Sequence, residues 1–173
     1  MITKNTPLKD VLGLAPACMC SACRHGCKFG SGMLAEGDEH RLAQFLGISL
    51  SDLKKGFLEE ADQFNSKLLH PRVLKEKNKT FGKCVFYDDN QGCTVHEAKP
   101  LQCKTSMGCR DYGDDLAVWF MVNHAVNADD PESVRQYAQY IESGGKVIPG
   151  ASLQELVPDR EKLKKILSYE ILK

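Results

Sequence analysis

Eight cysteines in two groups are the residues of this 173-residue chain that could do chemistry. The first group is Cys18, Cys20, Cys23 and Cys27, and the second, after a long cysteine-free span, is Cys84, Cys93, Cys103 and Cys109. Buried apolar residues on one helix face recur every three or four positions, whereas the first thiols follow one another at two, three and four. Thiolates are the soft ligands that select zinc, copper(I) and iron–sulfur clusters. We therefore predict that all eight cysteines bind metal and that the two groups converge on it.

The spacing of the cysteines bears on the identity of the metal. Structural zinc sites usually use two Cys-x2-Cys knuckles, and only Cys20 and Cys23 form such a pair. The first group is related to the tight cysteine runs of bacterial ferredoxins, although its spacing differs and no proline follows Cys27. These irregular spacings favour one or two [4Fe–4S] clusters. Zn²⁺ is the alternative, because eight thiolates could also surround two zinc ions.

Composition limits the cellular setting and the partners. The formal net charge is zero and the pI is about 6.9, so no overall field draws the chain to nucleic acid or to an anionic membrane. No apolar run reaches the ~20 residues of a membrane span, and the N-terminus lacks the apolar region of a signal peptide. We expect a cytoplasmic protein. In that reducing compartment, metal binding explains crowded thiols better than disulfides do.

The secondary structure that must position the thiols is predicted to be mainly α-helical with a small β-hairpin. We expect a single domain whose fold is organised by the metal. Helices are expected over Asp38 to Gly47, from an N-cap at Ser49 to about Phe64, and over about Asp114 to Asn127, Pro131 to Glu142 and Pro158 to Leu172. The segments Cys84–Tyr87 and Cys93–Val95 flank turn-forming residues and predict the hairpin. A short helix after Pro100 would carry Cys103.

The chain divides into three predicted parts. Residues 1–17 form an apolar lead-in, residues 18–113 form the cysteine-cluster metal-binding domain, and residues 114–173 form a helical extension packed on it. Within the second part, the lysine-rich stretch from Lys67 to Lys83 is interpreted as a solvated linker broken at His70-Pro71, because charge runs are usually surface.

The cysteine motifs resemble those of a known family. They read Cys20-x2-Cys23-x3-Cys27, then Cys84-x-Phe86, then Gly92-Cys93-x-Val95-His96-x2-Lys99-Pro100-x2-Cys103. This pattern resembles the zinc- or iron-chelating cysteine-cluster family (YkgJ-like, CxxCxxCC), and the resemblance covers roughly Cys18 to Cys109. The family has a cysteine where this chain has Gly26, a tyrosine at His96 and an arginine at Lys99, and Cys18 and Cys109 are additional thiols. Cys18 could replace the ligand missing at Gly26. The resemblance implies a metal-binding protein and does not imply a reaction.

The other candidate residues give weaker evidence of a functional role. His25, His40, His70 and His124 are interpreted as solvated or structural, whereas His96 could face the metal site or bond within the hairpin. No nucleotide-binding or nucleophile motif is present, so the sequence favours a non-enzymatic role while leaving catalysis open.

Two function classes follow. In the first, iron–sulfur clusters serve electron transfer or metallocentre maturation with a protein redox or maturation partner. In the second, structural zinc holds together an adaptor module that binds a protein or RNA. Of these partners, nucleic acid is the less expected, because lysines without interleaved aromatic residues do not make a stacking surface.

Overall fold

The computed structural model describes residues 1–173 and is mainly helical, as the sequence predicts. Nine α-helices are present: α1 (Leu8–Leu14), α2 (Ser21–His25), α3 (Asp38–Leu46), α4 (Leu50–Phe57), α5 (Leu101–Thr105), α6 (Gly113–His124), α7 (Pro131–Glu142), α8 (Leu153–Leu156) and α9 (Arg160–Leu167). A 3-10 turn at Gly26–Lys28 extends α2. None of these helices is long and apolar enough to cross a lipid bilayer.

The strands form three separate antiparallel pairs rather than one hairpin. They are β1 (Leu58–Gln63) with β2 (Ser66–Pro71), β3 (Val73–Lys75) with β4 (Gly82–Cys84), and β5 (Tyr87–Asp88) with β6 (Gly92–Cys93). The predicted turn between β5 and β6 is confirmed, since Asp88 Oδ1 accepts the N–H groups of Asn90 and Gln91 at 2.8 Å each. Cys84, however, ends β4 and is paired with Val73 instead of with the strand of Cys93.

The expected helix from Ser49 to about Phe64 is wrong in its second half. Ser49 does cap α4, accepting the Asp52 N–H at 3.0 Å, but α4 ends at Phe57 and the chain continues directly into β1. The two-residue turn Phe64-Asn65 has positive φ at both positions, 49° and 57°, as a type I′ hairpin turn requires. The apolar spacing from Phe57 to Phe64 also suits a helix, so pairing with a later strand decided between the two structures.

The stretch from Lys67 to Lys83 is solvated as predicted, since Arg72 and the lysines before Lys83 are exposed. It is not a linker, because it contains most of β2, all of β3 and the start of β4. His70 pairs with Glu59 in the β1–β2 register and Pro71 is the last residue of β2, so the predicted break coincides with the end of that strand. Arg72 then ties this region to α4 and β1, donating to the carbonyls of Lys55 at 2.6 Å and Leu58 at 3.1 Å.

Two hydrophobic cores support the cysteine-bearing segments. The larger is built on α6 and also takes in Val11 of α1 and Leu101 of α5. The second packs α3 and α4 against the cysteine loops through Phe86 and Val95. The larger core draws on residues from the predicted lead-in, cysteine-cluster domain and helical extension: Ile2, Val11, Ala15, Ala35, Leu101, Met107, Leu116, Val118, Trp119, Phe120, Met121, Val122, Tyr137, Ile148 and Ala151.

Predicted helices in the C-terminal part are largely confirmed. Helix α7 spans Pro131–Glu142 with the Asp130 side chain as its N-cap, as expected. Helix α9 is shorter than predicted, because residues Ser168 to Lys173 lie outside it. The sequence analysis missed α8, although Ser152 and Glu155 form a capping box whose Ser-x2-Glu pattern marks a helix start.

The buried carboxylate of Asp38 joins α3 to α5, the helix that carries Cys103. Its Oδ2 accepts the N–H groups of Ala35 at 2.9 Å and Leu101 at 2.7 Å, and its Oδ1 binds the Arg41 guanidinium at 2.6 Å. Asp38 is only 2% exposed. One side chain therefore fixes the position of α5 relative to α3.

Candidate metal centres

Four thiols come together at the surface, and we call them the compact quartet: Cys18, Cys20, Cys23 and Cys109. All four sulfur atoms lie within 4.8 Å of one another. The sulfur of Cys109 is 3.4 Å from that of Cys23 and 3.6 Å from that of Cys18. Cys20 and Cys109 are exposed, and the other two are half-buried.

The backbone around α2 and the turn before α6 brings these thiols together. Cys20 is the N-cap of α2, and Cys23 lies on the same short helix. Cys109 follows Gly108, where an added Cβ would stand 3.4 Å from the carbonyl oxygen of Ala22, so the two segments touch. The contact therefore holds the loop of Cys109 against α2.

The compact quartet matches the geometry of a single tetrahedral ion. A Zn–S bond of about 2.3 Å places neighbouring sulfurs of a tetrahedral site about 3.8 Å apart. The measured separations of 3.4 and 3.6 Å are near that value. An iron–sulfur cluster places several iron and sulfide atoms between its thiolates, and so it needs a wider frame than this one.

The protonation of the compact quartet reflects crowding. A hydrogen bond from the backbone N–H of Cys23, assisted by the Cys18 thiol, lowers the pKa of Cys20 to about 7. Loss of solvent, assisted by the neighbouring thiols, raises the pKa of Cys23 to about 12. A metal ion that binds here must therefore displace the proton of Cys23 at neutral pH.

The other four thiols are among the residues that line a cavity of about 40 Å³, and we call them the buried quartet: Cys27, Cys84, Cys93 and Cys103. They come from the 3-10 turn, the end of β4, the end of β6 and α5. None of the four is fully exposed, and their sulfurs do not form a group gathered within 4.8 Å as those of the compact quartet do. Cys18 and Cys23 of the compact quartet border the same cavity.

Burial dominates the protonation of the buried quartet. Loss of solvent raises the pKa of Cys84 and of Cys103 to about 12, and it also raises the pKa values of Cys27 and Cys93. The charges of neighbouring quartet thiols add to the increase for Cys84 and Cys103. The Lys99 ammonium acts in the opposite direction on Cys27 and Cys93, because a nearby cation favours the thiolate.

The structure brings the predicted site residues together in two sets. Cys27 joins Cys84, Cys93 and Cys103, whereas Cys20 and Cys23 meet Cys109. Cys18 and Cys109, the two thiols that are additional to the matched cysteine motif, both lie in the compact quartet. Each of the eight cysteines therefore shares either a cluster of sulfurs or a cavity with at least three other cysteines.

The histidines differ in their placement. His96 borders the cavity, and its pKa is lowered by burial and then by Lys99. His124 packs against the rings of Trp119 and Phe120, with ring centroids 5.6 and 4.9 Å away, and it does not border the cavity. His70 Nδ1 lies 2.8 Å from the Ser31 hydroxyl within the fold.

Sequence reasoning missed Arg24, which also borders the cavity. Its guanidinium lies against Gly92, where an added Cβ would be 3.0 Å from Nε and 3.2 Å from Cζ. The Nε atom is buried and has no hydrogen-bond partner. The only signal in the sequence is the position of Arg24 between Cys23 and Cys27.

Comparison with known proteins supplies one match. Residues 19–125 match the sequence profile of the CxxCxxCC family, which carries the description "putative zinc- or iron-chelating domain". This range covers more than half of the chain and all cysteines except Cys18, and it confirms the resemblance drawn from the cysteine motifs. No curated protein and no solved structure matches the chain significantly.

Proposed function

The chain belongs to the CxxCxxCC family, and from this premise we propose that its compact quartet holds a single tetrahedral metal ion, with zinc favoured over iron. The observation that carries the proposal is the mutual approach of four sulfurs within 4.8 Å. Four thiolates complete a tetrahedral zinc site and leave no open position for substrate, as in structural rather than catalytic sites. For these four thiols the geometry thus supports the zinc alternative of the sequence analysis rather than a [4Fe–4S] cluster.

The proposed ion has two properties that suit a protein-binding or metal-handling role. It joins α2 to the loop before α6, which fixes the surface on which both segments lie. Two of its four ligands, Cys20 and Cys109, are exposed, so a partner protein can reach the ion. We propose a protein partner in metallocentre maturation, rather than RNA, because the net charge of zero gives no attraction to phosphate. Zn²⁺ has no redox chemistry, so the proposed ion does not serve electron transfer.

Replacing Cys109 by serine tests the proposal. We expect wild-type protein purified without oxygen to contain about one zinc per compact quartet, and Cys109→Ser to lose most of it, because a thiolate ligand is removed from a closed site. Cobalt(II) added to the metal-free wild type should give the intense absorption of tetrahedral thiolate coordination, and the variant should not. Elemental analysis and visible spectroscopy make the two measurements.

Ser21→Ala is the matched control, since Ser21 is an exposed neighbour of Cys20 that contributes no thiol. It should keep the zinc content and the cobalt spectrum of the wild type. Full zinc retention by Cys109→Ser would contradict the assignment of the ion to the compact quartet.

A further inference from the structure

A surface groove with apolar and basic walls lies beside the cysteine-bearing segments, and we call it the lysine groove. It has a volume of about 360 Å³, and the residues that line it include Lys28, Phe29, Leu74, Lys79, Phe81 and Lys83. Single exposed apolar side chains are common on protein surfaces, whereas a cluster of them rimmed by polar groups marks an interaction site. No thiol lines the groove, so its properties do not depend on a metal ion at either quartet.

Three large apolar side chains from separate segments meet in the lysine groove. Phe29, Leu74 and Phe81 are 48%, 54% and 46% exposed. The rings of Phe29 and Phe81 are in contact, with centroids 5.8 Å apart. In sequence only Phe81 lies near the lysines of this region, and the fold adds the second ring. Aromatic side chains are enriched in protein–protein interfaces, where a few of them supply most of the binding energy.

The backbone holds the lysine groove in its shape. Gly82 of β4 faces β3, and a Cβ there would collide with the carbonyl group of Leu74. A glycine at this position therefore permits the close approach of the two strands. The 3-10 turn that ends at Lys28 packs against β4, and Phe29, the next residue, meets Phe81. Because the groove is already formed in the free protein, a partner spends little binding energy on ordering it.

Positive charge around the apolar side chains exceeds negative charge. Two lysines of the groove are neutralised by carboxylates, since Lys79 binds Glu76 at 2.5 Å and Lys83 binds Asp89 at 2.8 Å. Three further lysines on the same segments are exposed and form no ion pair: Lys28, Lys75 and Lys77. Interfaces between proteins bring opposite potentials together, so the surface is complementary to an acidic partner.

A protein segment fits the lysine groove better than a nucleic acid or a membrane does. Every nucleotide would bring a phosphate near the carboxylates of Glu76 and Asp89, whereas a protein can place neutral or cationic groups there. The rings of Phe29 and Phe81 are inclined by 54°, so they do not offer parallel faces to successive bases. Side chains that insert into a membrane must protrude from the surface, whereas these line a groove.

We infer that the lysine groove is a docking surface for an acidic segment of a partner protein. A large apolar side chain of that segment packs against the three exposed apolar side chains, and its carboxylates pair with the three unpaired lysines. A protein partner agrees with the proposed function, but the groove itself carries the choice. The ion proposed for the compact quartet takes no part in this docking.

Fluorescence anisotropy of a labelled acidic peptide, in which aspartates and glutamates flank one central phenylalanine, tests the docking surface. The wild type should bind this peptide more tightly than a version with lysines in place of the acids or with alanine in place of the phenylalanine. Binding should weaken as salt is added. Failure of the acidic peptide to bind, or tighter binding of single-stranded RNA or of phosphatidylserine vesicles at the same salt concentration, would overturn the inference.

Phe81→Ala should weaken binding of the acidic peptide by about tenfold, because it removes an aromatic side chain from the groove. Phe45→Ala is the matched control, since Phe45 is 45% exposed and does not line the groove. Both replaced side chains are half exposed, so both variants should keep the circular dichroism spectrum and the zinc content of the wild type. Equal affinities of the two variants for the peptide would remove the groove from the docking surface.

Reversing the charge of two unpaired lysines tests the electrostatic part. Lys75→Glu combined with Lys77→Glu should weaken binding of the acidic peptide several-fold and strengthen binding of the lysine version, an exchange that unfolding cannot produce. Lys9→Glu combined with Lys173→Glu makes the same charge change at exposed positions outside the groove and should leave the preference unchanged. Cys109→Ser should bind the acidic peptide as the wild type does, which separates docking from zinc binding. An unchanged preference in the groove variant would contradict the role of these lysines.

Discussion

Removing the zinc that we propose for the compact quartet, in the absence of oxygen, should lower the melting temperature of the protein by ~10 °C or more. The compact quartet connects Cys18 to Cys109, which are 91 residues apart, and the unfolded chain has no such site. Metal binding therefore contributes directly to the free energy of unfolding. An ion present at a thousandfold excess over its Kd contributes about 4 kcal/mol. In a chain of this size, 1 kcal/mol shifts the melting temperature by about 2–4 °C.

Thermal unfolding followed by circular dichroism, with and without a strong chelator, measures the effect. Cys109→Ser is the matched control, because a variant that lacks a ligand of the compact quartet should gain much less from added zinc. Identical melting curves for zinc-loaded and chelated wild-type protein would show that the ion does not hold the fold together.

Asp38→Ala should lower the free energy of unfolding by about 3 kcal/mol or more, because it leaves buried partners of the carboxylate unpaired. The substitution removes the hydrogen-bond acceptor of the N–H groups of Ala35 and Leu101 and of the Arg41 guanidinium. Arg41 retains one bond, to the Lys99 carbonyl at 3.2 Å. Because Leu101 begins the helix of Cys103, we also expect Cys103 to shift relative to the other thiols of the buried quartet.

Glu39→Ala is the control for this experiment, since Glu39 is the next residue on α3 and makes only a 3.8 Å ion pair with the partly exposed Lys54. Such a pair contributes about 0–1 kcal/mol. Urea denaturation of both variants gives the comparison. A difference of less than about 1 kcal/mol between them would mean that the Asp38 network does not hold α5 in place.

Residue type and local spacing were sufficient to predict the metal-binding class, the family and most helices. The soft chemistry of a thiolate belongs to the residue itself, so eight crowded cysteines indicate metal before any fold is known. The caps at Ser49 and Asp130 are also local, because a side chain bonds an N–H group two or three residues further on. Both were therefore readable from the sequence.

The sequence could not decide whether the segment after Phe57 continues as a helix or enters a strand. Its apolar spacing satisfies a helix, but Leu58–Gln63 pairs along its whole length with Ser66–Pro71. The turn Phe64-Asn65 carries no glycine, so the usual hairpin signal is missing. The packing of Leu58 into the second core, a contact between segments distant in sequence, favours the strand over the helix.

Only the tertiary structure decided which thiols share a site. Along the chain Cys20, Cys23 and Cys27 form one motif, yet helix α2 and the 3-10 turn after it direct Cys23 toward Cys109 and Cys27 toward Cys84, Cys93 and Cys103. Arg24 reaches the cavity through the same turn of the backbone. Ligand chemistry is a property of single side chains, whereas the grouping of ligands depends on contacts between segments that lie far apart in sequence. For that reason the sequence determined that this protein binds metal. The contacts of α2 with the loop of Cys109 and with Gly92 of β6, and of the 3-10 turn with β4, determined the division into two quartets.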